Sequence, residues 1–290
     1  MNVFAFLVHR VTPSFLYCVD KLMADDRTLI IVHVDKKAEI SEFLDMQSES
    51  LIFIEDREDV CWGGFEMILA TLRLMREAQK YEFNYFTLLS GDDIPIVKAD
   101  FINDFFDSAK KEFIAFQNER QKPVCPDKRV RYEYASFNFK KNRALKDVIS
   151  IVLERGLQRL GFMQNRYFRY LPTLYKGSQW FSLSSGVVKY IFEYIDENPE
   201  YPVAFERSLC SDEIFFHTII GNSKFKESIT DSVESAIPLK ALRYIDWSTG
   251  PDLPRTLDES DFQKIGESRA FFARKMATSI TVECLKENFG

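Results

Sequence analysis

The chain has 290 residues, 46% of them hydrophobic and 28% charged, with a net charge of −6. That composition suits a globular protein with a large core, and no run of about 18 apolar residues offers a membrane-spanning helix. Five scattered cysteines (Cys18, Cys61, Cys125, Cys210, Cys284) without a CxxC pair argue against a disulfide framework or zinc site and for a reducing cytoplasm.

The opening run from Met1 to Val8 is too short, and too poor in basic flanks, for a secretory signal, and Val3 to Val8 reads as a first strand. Thr12-Pro13 then starts a helix, with Thr12 as N-cap and Phe15, Leu16, Val19 and Leu22 at helical spacing. A second apolar strand, Thr28 to Val34, ends in Asp35-Lys36-Lys37. An acid at that place in a βαβ unit suits a ribose hydroxyl, although neither GxGxxG nor a P-loop is present. A short strand follows from Leu51 to Glu55, then the loop Arg57 to Gly64, whose paired glycines allow close approach of a ligand or simply a turn. A helix is expected from Phe65 to Lys80.

The next stretch organises the rest. Tyr85-Phe86-Thr87-Leu88-Leu89 reads as a buried strand, cut off by Ser90-Gly91-Asp92-Asp93-Ile94-Pro95. Ligands gather at carboxyl ends of strands in open α/β sheets, so Asp92 and Asp93 are candidates either for Mg²⁺ or Mn²⁺ or for plain turn chemistry. A helix from about Asp100 to Lys110 and a strand from Glu112 to Gln117 complete an alternating pattern. The expected class is α/β, with a mostly parallel central sheet flanked by helices.

After residue 118 the character changes. Residues 120–176 hold fourteen Lys/Arg against four Asp/Glu, a balance of +10, interleaved with aromatics. Such a segment suits a polyanionic partner, including an anionic membrane, or is merely a solvated face. Nucleic acid is disfavoured, because no RRM, KH or helix-turn-helix pattern accompanies the charge. Within the segment, Ala144 to Leu160 forms an amphipathic helix with Leu145, Val148, Ile149, Val152 and Leu160 on one side. Helices are also expected from Ser184 to Glu197, Asp212 to Ile220 and Asp258 to Thr278. The whole reads as one folded domain, 1–290, with a nucleotide-binding part (1–118), the basic segment and a catalytic part (177–290).

At Ser211-Asp212-Glu213 the choice is between a capped helix start and a carboxylate acting as general base. His9, His33 and His217 lack metal-ligand spacing. Trp62 and Trp180 could stack on a sugar or pack in the core.

Eight stretches together resemble the core-2/I-branching β-1,6-N-acetylglucosaminyltransferase family, which includes the peptide O-xylosyltransferases. They are Leu7-Val8-His9, Ile31 to Lys37, Arg57 to Gly64, Leu89 to Ile96, Lys176 to Ser184, Cys210 to Phe216, Leu242 to Trp247 and Phe271 to Met276. The resemblance implies a GT-A-like fold and inverting transfer from a UDP-sugar, GlcNAc being the first choice, without a metal or other cofactor. It makes Glu213 the general base and Arg243 and Lys275 the cations on the UDP diphosphate. Val8, His9 and Asp35 fall on the nucleotide, and Ser178, Gln179 and Trp180 on the sugar and acceptor cleft. Asp92, Asp93, Trp62 and Gly63 become the floor of the donor site. Lacking an anchor or paired cysteines, the chain resembles a soluble, bacterial-type, cytoplasmic member, peripheral on the inner membrane face. Its expected acceptor is a cell-surface glycan or lipid-linked oligosaccharide. The alternatives are a Mn²⁺-dependent GT-A transferase and a non-catalytic glycan-binding relative.

Overall fold

A computed structural model describes residues 1–117, 125–140, 144–230, 241–250 and 254–290. The expected boundary at 118, and Arg120, Lys122, Lys141 and Arg143 of the basic segment, lie outside the described residues.

The apolar runs at the start pair as expected. β1 (Asn2–Val8) and β2 (Thr28–Val34) lie parallel, joined by α1 (Pro13–Leu22). β3 (Leu51–Phe53) follows β2, and β4 (Tyr85–Ser90) lies along the other side of β1, both parallel. β6 (Phe113–Phe116) and β7 (Gly177–Ser184) finish a six-stranded sheet of order β3-β2-β1-β4-β7-β6. β7 alone runs against the rest, antiparallel to both neighbours.

Alternation along β1 assigns its two faces. Val3 and Ala5 pack towards α3 (Glu66–Ala78), α7 (Ser185–Glu197) and α9 (Phe215–Gly221), while Phe4, Phe6 and Val8 pack towards α1 and α4 (Ala99–Ser108). Burial on both faces explains the continuous apolar runs. Each fully buried Phe or Leu there contributes about 1.5–3 kcal/mol. Two short helices, α2 (Ser41–Leu44) and α8 (Glu200–Val203), bridge loops. The architecture is mixed α/β with a mostly parallel central sheet between helices.

A second sheet of order β5-β9-β8 comprises β5 (Ile94–Pro95), β8 (Arg243–Ile245) and β9 (Phe272–Arg274). With helices Phe262–Glu267 and Val282–Phe289 it packs on α1, where the Tyr17 hydroxyl donates to the Phe289 carbonyl at 2.8 Å.

Two expectations about elements are corrected. The helix expected from Asp258 to Thr278 is a turn at Glu259–Asp261, a helix ending at Glu267 and then β9. Arg269, at φ +58°, breaks the helix, and the apolar Phe271-Phe272-Ala273 is taken up by pairing with β5 and β8. Ser211 does not cap a helix: Ser211–Glu213 is one 3₁₀ turn, Ile214 precedes α9, and the buried Ser211 hydroxyl has no partner. The strand β7 was not foreseen, because its Ser-Gln-Trp start is too polar to read as core.

The helix expected over 144–160 exists as α6 (Leu145–Arg159), but turned over. Its apolar side is exposed, with Leu145 at 77%, Ile149 at 53% and Val152 at 62%. Its inner side carries Asp147, Ile151, Glu154 and Gln158. Polar bonds hold it down: Glu154 accepts from Ala135 N (3.0 Å) and Asn138 Nδ2 (2.8 Å), and Asp147 pairs with Lys140 at 2.9 Å.

Candidate active site

β1, β2 and β4 end along one edge, and the antiparallel β7 begins there. Val8, His9, Asp35, the Ser90–Asp93 turn and Ser178–Trp180 therefore gather on one rim. Thr12 fastens the turn to the sheet. Its hydroxyl caps α1 by accepting from Phe15 N at 3.0 Å, and donates to the Gly91 carbonyl.

At one end of the rim, Asp35 N donates to the Val8 carbonyl at 2.7 Å, so the ends of β1 and β2 are tied together. The Asp35 carboxylate is nearly buried and accepts from Lys37 N at 2.9 Å, with the Lys37 ammonium at 3.3 Å. His9 is exposed, 3.1 Å from Arg10 through Nε2. Partial desolvation of its ring, then the Arg10 charge, lowers its pKa. His33 is a structural histidine: it accepts from Glu58 N at 2.8 Å, and burial pulls its pKa to about 4.

The two acids of the turn part company. Asp93 is fully buried; it accepts from Ser90 N (2.9 Å) and Ser90 Oγ (2.8 Å) and faces Arg274 at 3.5 Å. This corrects its place on the donor-site floor, because its oxygens are spent on holding the turn. Asp92 looks towards the rim between two cations, Arg10 at 3.4 Å and Lys275 at 3.5 Å. Met276 N donates to the Asp92 carbonyl at 2.9 Å, which pins the Lys275 loop against the turn. Among the described residues, no group of three or more His, Cys, Asp or Glu converges as metal ligands do.

Arg243 departs from the rim position that a diphosphate cation would occupy. It is fully buried, and its guanidinium donates to the carbonyls of Ala241 (2.5 Å), Leu88 (2.7 Å) and Phe181 (3.2 Å). From the short β8 it runs inward to the core sheet, and there it clamps β8 to β4 and β7. Its neighbour in the second sheet, Arg274, stacks on Trp180 at 3.9 Å from the ring centroid, with Nε in the ion pair with Asp93 and Nη1 without a hydrogen bond. Burial works against the charge of both arginines, and Asp93 supports it.

At the other end of the rim, Glu213 Oε2 accepts from Arg129, on α5 (Pro126–Val130), and meets the Lys176 ammonium at 2.9 Å. The loop bearing it is hooked on both sides: Cys210 N donates to Gly63 O at 2.8 Å, and Leu209 N to Arg129 O at 3.1 Å. Gly63, at φ +68°, gives the left-handed turn this requires, and a Cβ there would lie 3.0 Å from Cys210 Sγ. Trp62 beside it is 54% exposed, so core packing does not account for it. Behind Glu213, Asp212 is half-buried, with one carboxylate oxygen enclosed and without a hydrogen bond; desolvation, then the Glu213 charge, pushes its pKa up to about 7.

Lys176 is held in place by the backbone after it. A Cβ on Gly177 would fall 1.8 Å from the Ala115 carbonyl and 2.4 Å from His217 Nε2, so only glycine lets β7 lie this close to β6. His217 is wholly buried against that carbonyl at 3.2 Å, and burial drops its pKa to about 3. Gln179 is partly buried on the same strand, its amide nitrogen unpartnered, and Ser178 is likewise half-buried.

Arg10, Arg129, Lys176 and Arg274 belong to the site and were missed. Arg10, Lys176 and Arg274 each adjoin a residue or stretch already singled out. Arg129 carried no local signal, since only the fold brings it to Glu213.

A family model described as Core-2/I-Branching enzyme matches residues 3–269. The chain is 24% identical over 265 residues to beta-glucuronosyltransferase GlcAT14B of Arabidopsis thaliana, covering 84% of this chain and 56% of that protein. It is 24% identical over 296 residues to human xylosyltransferase 2, covering 92% of this chain and 30% of that one. The chain thus spans about half, or less, of these relatives. Among solved structures, Staphylococcus aureus TarS 1-349 matches with a TM-score of 0.36 and 11% identity over 76% of this chain and 56% of that one. A putative glucose-1-phosphate thymidylyltransferase of Bacillus anthracis matches with a TM-score of 0.32 and 15% identity over 66% and 75%. The chain belongs to the core-2/I-branching enzyme family.

Proposed function

We propose that the chain is a GT-A-like glycosyltransferase that moves a sugar from a UDP-sugar to a hydroxyl of a glycan or lipid-linked oligosaccharide, with inversion and without a metal. The observation that carries this is the rim itself: a carboxylate, Glu213, positioned by two cations at one end, and Arg10 and Lys275 about Asp92 at the other. Glu213 takes the acceptor hydroxyl proton while that oxygen bonds to the anomeric carbon. The bond from that carbon to the diphosphate oxygen breaks, and UDP leaves with the electron pair. Fixed positive charge beside the departing diphosphate does what a bound cation would otherwise do.

Arg10 and Lys275 are the diphosphate contacts that the geometry favours, with Arg274 behind them; Arg243 acts as the clamp beneath. Asp35, with Val8 and His9 beside it, takes the nucleoside. Trp62 offers an exposed ring to a sugar, and Ser178, Gln179 and Trp180 line the cleft between the two ends. The relatives named for glucuronosyl and xylosyl transfer widen the donor candidates from UDP-GlcNAc to UDP-glucuronic acid and UDP-xylose.

The deciding experiment measures transfer from these three donors, with and without EDTA, beside thermal-shift binding of UDP. Glu213→Gln is expected to lower turnover about 10²–10⁴-fold, the range for removing a general base, while UDP still stabilises the fold. Near-normal turnover by this variant removes Glu213 from the role. Activity abolished by EDTA and restored by Mn²⁺ overturns the metal-free reading.

A further inference from the structure

The most unusual surface of the molecule lies away from the rim. α6 presents outward the residues that helices ordinarily bury. Leu145, Ile149, Val152, Leu153, Leu160 and Phe162 are each between 53% and 77% exposed. They form one contiguous arc at 100° per residue, extended past the helix end by Phe162. Single exposed apolar residues are ordinary; a continuous arc of this kind marks a contact surface.

Charge identifies what the arc contacts. Between Leu145 and Tyr170 there are five basic residues, Lys146, Arg155, Arg159, Arg166 and Arg169, all exposed. The two acids of that span, Asp147 and Glu154, are buried under the helix. The outward surface therefore carries positive charge alone. Around α6, Lys146 borders one side of the apolar arc and Arg159 the other, with Arg155 beyond it. Beyond it Tyr170 is 64% exposed, beneath the Arg169 guanidinium at 4.7 Å.

An apolar strip edged by basic residues, with an amphipathic aromatic beside it, is the pattern of a helix lying in a lipid interface. A second copy of this chain fits less well, because pairing two such faces brings like charges together. We propose that α6 is a membrane-docking element, with its apolar arc entering the acyl boundary of an anionic bilayer and its basic flanks on the headgroups. It lies on the bilayer rather than across it: among the described residues no helix is long and apolar enough to span one. The same segment supplies Arg129 to Glu213, so docking would turn the acceptor end of the rim towards the lipid surface.

The inference stands apart from the transferase reading, and each can fail alone. The test is flotation of the whole chain with phosphatidylcholine vesicles and with vesicles also containing phosphatidylglycerol. Expected is binding to the anionic vesicles, weakened by salt, and about tenfold weaker or worse for Ile149→Gln/Val152→Gln/Leu153→Gln, since affinity scales with buried apolar area. An Arg155→Glu/Arg159→Glu variant, with the apolar arc intact, is expected to lose the preference for phosphatidylglycerol. Circular dichroism of both variants confirms folding. Equal binding by wild type and the glutamine variant overturns the proposal, as does absence of wild-type binding. Light scattering that shows a wild-type dimer, dissociated by the glutamine substitutions, assigns the arc to a second copy instead.

Discussion

The central sheet and the segment bearing α6 use similar side chains in opposite ways. In β1 and β4, apolar runs are sealed between two layers of helices, and the polar work falls to the residues just beyond the strand ends. In α6 the apolar residues face out, and the helix is attached by carboxylates beneath it, Asp147 and Glu154. The lesson is that hydrophobic patterning marks an amphipathic element without saying which face meets the core. Between the regions lies the loop 209–213, hooked to Gly63 on one side and Arg129 on the other.

Mutation can sharpen this contrast. The largest expected effect on stability is Phe86→Ala in β4, where the ring is fully buried; urea denaturation should report a loss of about 3–5 kcal/mol. A loss of less than half that would mean that the central sheet is looser than its packing indicates.

The joint between the regions is tested by Asp212→Asn. Its folded pKa, about 7, lies above the ordinary 3.8, so the folded state holds the proton more tightly than the unfolded chain. Stability is thus whole below the unfolded value and declines as pH rises between the two. Asparagine removes that decline. The variant should match wild type in melting temperature near the low end of this window and exceed it above the high end. A constant difference across the window would show that Asp212 does not titrate as its enclosed oxygen and the Glu213 charge require.

A smaller loss is expected for Glu154→Ala under α6. Ala135 N and Asn138 Nδ2 both lose an acceptor, at about 1–3 kcal/mol for buried groups left unmade. The smallest effect belongs to the opposite face of the same helix. Val152→Gln should change unfolding free energy by no more than about 0.5 kcal/mol, as for an ordinary surface position. Were it to cost as much as Glu154→Ala, the outward face would be packed against something in the isolated protein.

Much of the first half was legible because parallel strands buried on both faces leave uninterrupted apolar runs, and because Thr12-Pro13 and Gly91-Asp92-Asp93 punctuate them. The strand-end acids were visible for the same reason, but their division of labour was not. Asp92 and Asp93 are adjacent in sequence, and only the fold turns one to the rim and the other towards Ser90 and Arg274. The second sheet was invisible because β5, β8 and β9 are two or three residues long, too short for a period to register. Arg243 was expected at the rim from the resemblance of its surroundings, and side-chain direction on such a strand cannot be read from neighbours in sequence. Arg129 and Glu213 are 84 positions apart, a pairing that no local pattern encodes.

The underside attachment of α6 has an evolutionary consequence. Because carboxylates and Ile151 hold the helix, the outward side chains carry no share of the fold and can be exchanged without unfolding the protein or disturbing the rim. A lineage could therefore readdress the protein to another surface by substitutions confined to one helical face. Selection on where the protein sits would then proceed independently of selection on what it makes.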